Sequence, residues 1–566
     1  MAADETCDVL VVGSGAGGLA TAVVARALGL EVIVVEKEPV FGGTSALSGG
    51  ALWVPGHPLA GGGDTAQAAA QYLRGQAGEH YDDAAVRTFL ENAPRMVRWF
   101  EENSAVRFMP SLLPDYHPEA PGGALVGRSI MARPFDTREL GADRARLRPP
   151  LRTITFLGMM FNSSNEDLKH FFNATRSLKS FLYVLRRLVR HAGEVARYGG
   201  AVQVTTGNAL VARLARSAFD RGVPIRTSQR VRELSMSEGR VTGAVVEDGS
   251  GQARRIRARR GVVLACGGFP HDEARRARHY THVRQGAPHL SPAPASNTGD
   301  GLRMAEQAGA RVEDRYPHAA AWIPVSEVPL PDGRHGVFPH LQDRYKPGMI
   351  AVDDRGERFC NEAVSYHDMG AAMIQTQSHA GAQAWLLCDH RAIRRYGLGF
   401  AKPAPMPLGP YLRSGYLRRG RTLEELAANI GVPAQALQAT VRRYNDGAAA
   451  GQDPDFHRGA SAFGRYLGDA QHQPNPCVAP VTQAPFYAVR LAMGDLGTFH
   501  GLRTTPEGAV LDEQGTPIAG LWAVGNDRAS IMGGAYPGGG ITLGPAMTFG
   551  YVTAHALAAQ SPDSNS

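Results

Sequence analysis

Near its C-terminal end the chain carries the run AYPGGGITLGP at residues 535–545, where one phenol, Tyr536, stands beside Gly538, Gly539 and Gly540. Glycines let a backbone N–H approach a ligand closely, and the tyrosine hydroxyl supplies a second donor beside it. Two donors converging on one point are what a carbonyl needs as negative charge builds on its oxygen. The small, apolar residues 546–558 read as a helix whose positive N-terminal end adds to the effect. A glycine-rich helix start that only packs against a neighbour fits the same residues, and the run alone leaves the two readings level.

The elements that would position such a site begin at the other end. Residues 8–12 (DVLVV) form a short β-branched run, followed by Gly13-Ser14-Gly15-Ala16-Gly17-Gly18, an alanine-rich helical pattern to Leu28, and a second strand at 31–35 that ends in Glu36. Strand, GxGxxG, helix, strand and acid is the order of a dinucleotide fold. Gly13 makes the tight turn, Gly15 lets the backbone reach the pyrophosphate, and Gly18 lets helix and strand close up. Glu36 is placed to accept from a ribose, with Lys37 beside it. A second glycine and hydroxyl cluster spans 41–50 and offers Gly43, Thr44, Ser45, Ser48, Gly49 and Gly50 to wrap a pyrophosphate and flavin. Strands ending in glycine recur at 261–269, with Ala265 and Gly267, and at 520–526, with Gly525 and Asn526. Val231, Gly540, Ile541 and Leu543 complete the expected cofactor-binding set.

With these segments the chain resembles the FAD-dependent fumarate reductase/succinate dehydrogenase flavoprotein superfamily, which implies FAD. Members acting on dicarboxylates carry an arginine after the Asn-Glu of the cap segment. Here that segment, RFCNEAVSYHD at 358–368, has Tyr366 in its place, and the Tyr536 run offers no carboxylate clamp. The pattern resembles the 3-ketosteroid Δ1-dehydrogenases, whose Tyr-Pro-Gly-x-Gly hallmark matches residues 536–540; DYHPEAPGG at 115–123 resembles their tyrosine segment before Pro-Gly-Gly. The insertion around 150–200 is longer than in compact members, and His500 departs from the expected glycine pair.

The resemblance implies that Tyr536 and the Gly540 N–H bind a ketone oxygen, Tyr366 takes the α-proton, and Tyr116 supports Tyr366 as partner or proton relay. Phenols have a reference pKa of about 10, so such a base needs that help. Tyr345 competes as base without the motif context, and His367 and His500 read as structural or flavin-edge contacts. Expected partners are a steroid or cyclic ketone and an external electron acceptor such as a quinone. A Δ4-dehydrogenase, a desaturase of a smaller cyclic ketone, a fumarate-reductase-like enzyme and a non-catalytic flavoprotein stand as alternatives.

At 566 residues the chain accommodates two domains. The expected class is α/β: a Rossmann-like FAD-binding domain built from residues 1–290 and 491–566, with an α+β substrate or cap domain inserted at 291–490. No leader or membrane-spanning run appears, and the five scattered cysteines have no metal spacing, which points to a reduced cytoplasm and no metal. The net charge of +7 comes from scattered arginine without a nucleic-acid motif. Within 168–197, however, Lys169, Arg176, Lys179, Arg186, Arg187, Arg190 and Arg197 interleave with apolar residues. An ordinary surface helix with a core-facing apolar stripe is the favoured reading; contact with an anionic membrane surface is the other.

Overall fold

The computed structural model describes residues 5–560 apart from 61–62, 162–166, 168–169, 172, 175–176, 331 and 377–381. The run 8–12 becomes the Glu5–Val12 strand at the centre of an eight-stranded sheet. Val9–Val12 pair in parallel with Val32–Val35 on one side and with 261–264 on the other. A strand buried on both faces is apolar throughout, as these residues are. The 520–526 segment supplies the Pro517–Ala523 strand, parallel to Ala253–Leu264 and edged by Ala509–Leu511, so both chain ends build one sheet. The helices Ala16–Ala27 and Leu543–Ala559 pack together over it, their small residues allowing close approach: a Cβ on Gly550 would lie 2.8 Å from Gly17 O.

A second, six-stranded sheet consists of Ala320–Pro329, His335–Pro339, Met349–Val352, Ala384–Cys388, Arg418–Gly420 and Phe486–Thr498, all antiparallel. The last of these is its long central strand, paired from Phe486 against Gly420 to Thr498 against Ala320. The expected 490/491 boundary therefore falls inside a strand, because a continuous ladder carries the chain out of this sheet only after Thr498. A small three-stranded sheet of Ala51–Trp53, Phe108–Pro110 and Ser129–Ala132 lies under the glycine run near the C-terminus.

The basic segment corrects the favoured reading. Its described part forms the helix Leu178–Tyr198, capped by Ser177, but the apolar stripe faces outward. Leu178 is 74 % exposed and Val189 65 %, with Phe181, Leu182 and Leu185 between them also exposed. The inner side is polar: Ser180 and His191 are buried, and Tyr183 and Arg187 donate to Asp167 at 2.5 and 3.1 Å. Lys169 and Arg176 lie outside the described residues.

Candidate active site and cofactor cleft

A cleft of about 1030 Å³ runs along the C-terminal edge of the central strands. Its walls include Gly13, Ser14, Gly15, Ala16, Gly17, Gly18, Glu36, Lys37, Gly43, Thr44, Ser45, Ser48, Val231, Ala265, Gly267, Gly525, Asn526 and Leu543, all expected from sequence. Gly13 adopts φ +110°, and a Cβ there would lie 2.2 Å from Ala265 O; a Cβ on Gly18 would lie 2.2 Å from Gly13 O. Gly13 thus serves strand-to-strand approach as well as the turn. The Ala16–Ala27 helix starts at this cleft with no acid in its first turn, leaving its positive end available to an anion. Glu36 is nearly buried and accepts from Ser14 Oγ at 2.5 Å and Glu38 N at 3.0 Å. Lys37 lines the cleft but is paired with Asp300 at 2.6 Å.

Gly49, Gly50, Gly540 and Ile541 do not line the cleft. Gly50 is needed for packing, since its Cβ would lie 2.2 Å from the Thr206 carbonyl carbon, and Ile541 faces an adjoining cavity. Arg148, Gln229, Arg230, Ser296, Asn297, Asp300 and Thr542 line the cleft without having been anticipated. The start of the region expected as the inserted domain is part of the wall, through Ser296 and Asn297, and Asn297 Nδ2 reaches Thr44 Oγ1 at 2.9 Å. The Asn297-Thr298-Gly299-Asp300-Gly301 turn that opens the Asp300–Gln307 helix was the available signal. Arg148 Nε is buried without a hydrogen-bond partner among the described residues, a donor left over for a ligand in the cleft. Glycine-edged walls, a helix start with no acid in its first turn and a spare guanidinium donor fit the phosphates and adenosine of FAD.

The three singled-out tyrosines come together. Tyr116 donates to the Tyr366 hydroxyl at 2.9 Å, its ring stacks on Tyr536 with centroids 5.5 Å apart, and Tyr366 meets Tyr536 edge-on at 5.0 Å. Tyr366 opens the Tyr366–Gln375 helix, which Ser365 caps by accepting from Asp368 N at 3.1 Å. The Tyr116 loop is pinned by its own backbone, since Tyr116 N donates to Pro537 O at 2.9 Å. It is also pinned by Asp115, which takes Trp53 Nε1 at 2.8 Å and Arg128 at 2.7 Å. Tyr72 donates to the same Pro537 carbonyl at 2.6 Å. In the glycine run the Gly540 carbonyl is occupied, accepting from Trp53 N at 3.0 Å and Gly544 N at 2.9 Å.

All three phenols are buried, and burial holds each pKa above the ordinary tyrosine value. Tyr536 rises to about 12, eased by the hydroxyls of Tyr366 and Thr542. Burial also lifts Tyr116 and Tyr366 well above the ordinary phenol value, and each feels the other's hydroxyl across their hydrogen bond. Tyr345 is removed from the contest: its hydroxyl donates to Val364 O at 2.8 Å and accepts from Arg344 Nη2 at 2.5 Å. His367 accepts from Trp322 N at 3.1 Å and is held neutral by burial; His500 contacts the Tyr316 carbonyl at 3.3 Å.

Residues 8–543 match the family model described as FAD binding domain. A 4-oxocyclohex-2-ene-1-carboxylate 5-dehydrogenase of Sinomonas cyclohexanicum is 43% identical over 551 residues, 96% of this chain and 92% of its own. A 3-oxosteroid 1-dehydrogenase of Mycobacterium tuberculosis is 38% identical over 577 residues, 98% of each chain. A crystal structure of 3-ketosteroid Δ1-dehydrogenase from Sterolibacterium denitrificans, in complex with 1,4-androstadiene-3,17-dione, is similar at a TM-score of 0.89 and 36% identity. It covers 98% of this chain and 100% of its own. FAD is the cofactor, and the chain belongs to the FAD-binding oxidoreductase family that contains the 3-oxosteroid 1-dehydrogenases.

Proposed function

We propose that the protein is an FAD-dependent α,β-desaturase of a cyclic ketone, with a 3-ketosteroid as substrate and the 1,2-bond as the one oxidised. The observation that carries this reading is the buried tyrosine cluster, in which two hydroxyls share a 2.9 Å hydrogen bond beside the Tyr536 ring. The Tyr536 hydroxyl and the Gly540 N–H hold the ketone oxygen and stabilise enolate-like charge on it. Tyr366 then removes the α-proton, and Tyr116 shares that proton through their hydrogen bond, which offsets the cost of ionising a buried phenol. Bound FAD supplies the acceptor for the β-hydride at N5. Electrons leave to an external acceptor such as a quinone.

A second reading, a cyclohexenone carboxylate as substrate, is favoured by the 43% identical relative. It uses the same tyrosines. Anaerobic stopped-flow absorbance of the flavoprotein with a 3-ketosteroid panel and with 4-oxocyclohex-2-ene-1-carboxylate separates the two. Steroid bleaching with a new 1,2-double bond in the product is the expected result. A carboxylate kcat/KM more than a hundredfold above that of any steroid transfers the assignment, and no bleaching by either ketone removes both.

The outward apolar face of the Leu178–Tyr198 helix supports peripheral contact with an anionic membrane. Lys179, Arg186, Arg190 and Arg197 form a basic stripe beside it, with Arg190 also paired to Glu194 at 2.9 Å. Among the described residues no helix is long and apolar enough to cross a membrane.

A further inference from the structure

Arg528 follows the Gly525–Asp527 turn that brings Gly525 and Asn526 to the cofactor cleft. It is only 6 % exposed, and its guanidinium lies 3.6 Å from the centroid of the Phe549 ring. Nη1 donates to Pro506 O at 3.3 Å. Among the described residues no carboxylate forms an ion pair with it: Asp82 and Glu507 act from farther away, and Asp82 is engaged by Ala85 N at 3.0 Å as a helix cap. Desolvation lowers its pKa to about 10, so it stays cationic at neutral pH. A buried cation without a counter-ion is costly, and such departures are expected where a ligand supplies the missing charge.

The surroundings are built for that charge. Arg528 lines a cavity of about 370 Å³ together with Thr498 and the start of the Leu543–Ala559 helix, whose first turn carries no acid. Thr498 Oγ1 is buried and has no hydrogen-bond partner among the described residues. Gly525, Asn526, Thr542 and Ala546 wall both this cavity and the cofactor cleft. A cation, an unused hydroxyl and the start of a helix thus belong to the lining of one cavity, and these are the groups that attract an anion.

We propose that this cavity is an anion subsite of the cofactor cleft, in which Arg528 and Thr498 stabilise the negative charge that a bound flavin acquires on hydride uptake. Taken with the desaturation proposed above, the step balances. The β-carbon gives hydride to N5, the α-proton goes to the tyrosine pair, and the ring that gains the hydride is left with one negative charge over N1 and the C2 oxygen. A free inorganic anion such as chloride has the chemistry to occupy the same site, and the test separates the two.

Sulfite provides a readout that needs no ketone, because its sulfur adds to N5 and leaves the same charge on the pyrimidine edge. Sulfite affinity and midpoint potential are measured on the flavin-loaded wild type and on Arg528→Met, Arg528→Lys and Thr498→Val, in sodium chloride and in sodium gluconate. Arg528→Met is expected to weaken sulfite binding at least tenfold in both salts and to lower the potential by about 30 mV, the tenfold equivalent for a two-electron couple. Arg528→Lys should stay within threefold of wild type and Thr498→Val should weaken binding a few-fold, so the outcome is readable even where Arg528→Met fails to load flavin. Wild-type sulfite affinity that falls with chloride, and loses that response in Arg528→Met, assigns the site to a free anion and overturns the flavin role. Values within twofold of wild type for Arg528→Met and Thr498→Val in both salts overturn the subsite altogether. A failure of the desaturase reading would instead show as ketones that do not bleach the flavin while these sulfite differences persist.

Discussion

A phenol withdrawn from water resists ionisation, so the chemistry of Tyr116, Tyr366 and Tyr536 rests on how each is placed relative to the others. Tyr366→Phe removes the proposed base and should slow flavin reduction by about 10²–10⁴-fold with little change in ketone affinity. Tyr536→Phe removes an oxyanion donor and should both weaken ketone binding and slow reduction by about 10²–10³-fold. Rapid-mixing titrations of reduction rate against ketone concentration distinguish the two; equal effects on rate and affinity in both variants would dissolve the division of roles. Tyr345→Phe should reduce flavin at close to the wild-type rate, since its hydroxyl is already committed to Val364 and Arg344.

His500 makes a different prediction at the same scale. Burial lowers its pKa to about 4, while an unfolded histidine stays near 6.5. Between those values the unfolded chain binds a proton that the fold excludes, so the contribution is full above about pH 6.5 and declines as pH falls toward 4. Its size is on the order of 3 kcal/mol. The drop in urea midpoint from neutral pH to about pH 4.5 should therefore be smaller in His500→Gln than in wild type; identical drops would show that another group carries the acid sensitivity.

Among the elements, the glycine run and the basic helix put their neighbours to the sharpest use. Gly540 has φ +100°, and a Cβ would lie 2.5 Å from the Ala51 carbonyl carbon and oxygen. Gly540→Ala therefore combines an unfavourable backbone conformation with a clash against a strand that cannot move aside, and should destabilise the protein by about 2–4 kcal/mol. Differential scanning fluorimetry and retained flavin measure this; an unchanged midpoint would mean that the turn relaxes freely. For the helix, Leu182→Glu with Val189→Glu should leave ketone turnover and melting temperature near wild type, because both positions are exposed. Co-sedimentation with phosphatidylglycerol vesicles should fall several-fold, and unchanged sedimentation would remove the membrane reading.

Over the whole molecule, one sheet collects both chain ends and the other carries the inserted region, while the tyrosine cluster draws on both. Tyr366 comes from the helix following Met349–Val352, Tyr116 from the loop between Phe108–Pro110 and Ser129–Ala132, and Tyr536 from the turn that follows Pro517–Ala523. Binding of FAD in the cleft should stabilise the fold by about 2.7 kcal/mol at one hundred times its Kd. That corresponds to a rise of a few degrees in melting temperature, read by comparing apoprotein with reconstituted protein.

Much of this was legible along the chain because local chemistry dictates it. A β-branched run, glycines at fixed offsets and an acid at the next strand end specify a nucleotide turn wherever they occur, and most of the residues so identified do line the cleft. Tyr116, Tyr366 and Tyr536 were also legible, by resemblance to known motifs. Tertiary structure decided what depends on distant partners. It committed Tyr345 to Val364 and Arg344, assigned Gly50 to packing, and brought Arg148 and Asn297 into the cleft wall. It also left Arg528 without a paired carboxylate among the described residues and turned the Leu178–Tyr198 apolar stripe to the outside. Periodicity defines the faces of a helix but not which one meets the core, and a residue's type states its charge but not what stands opposite it once the chain has closed.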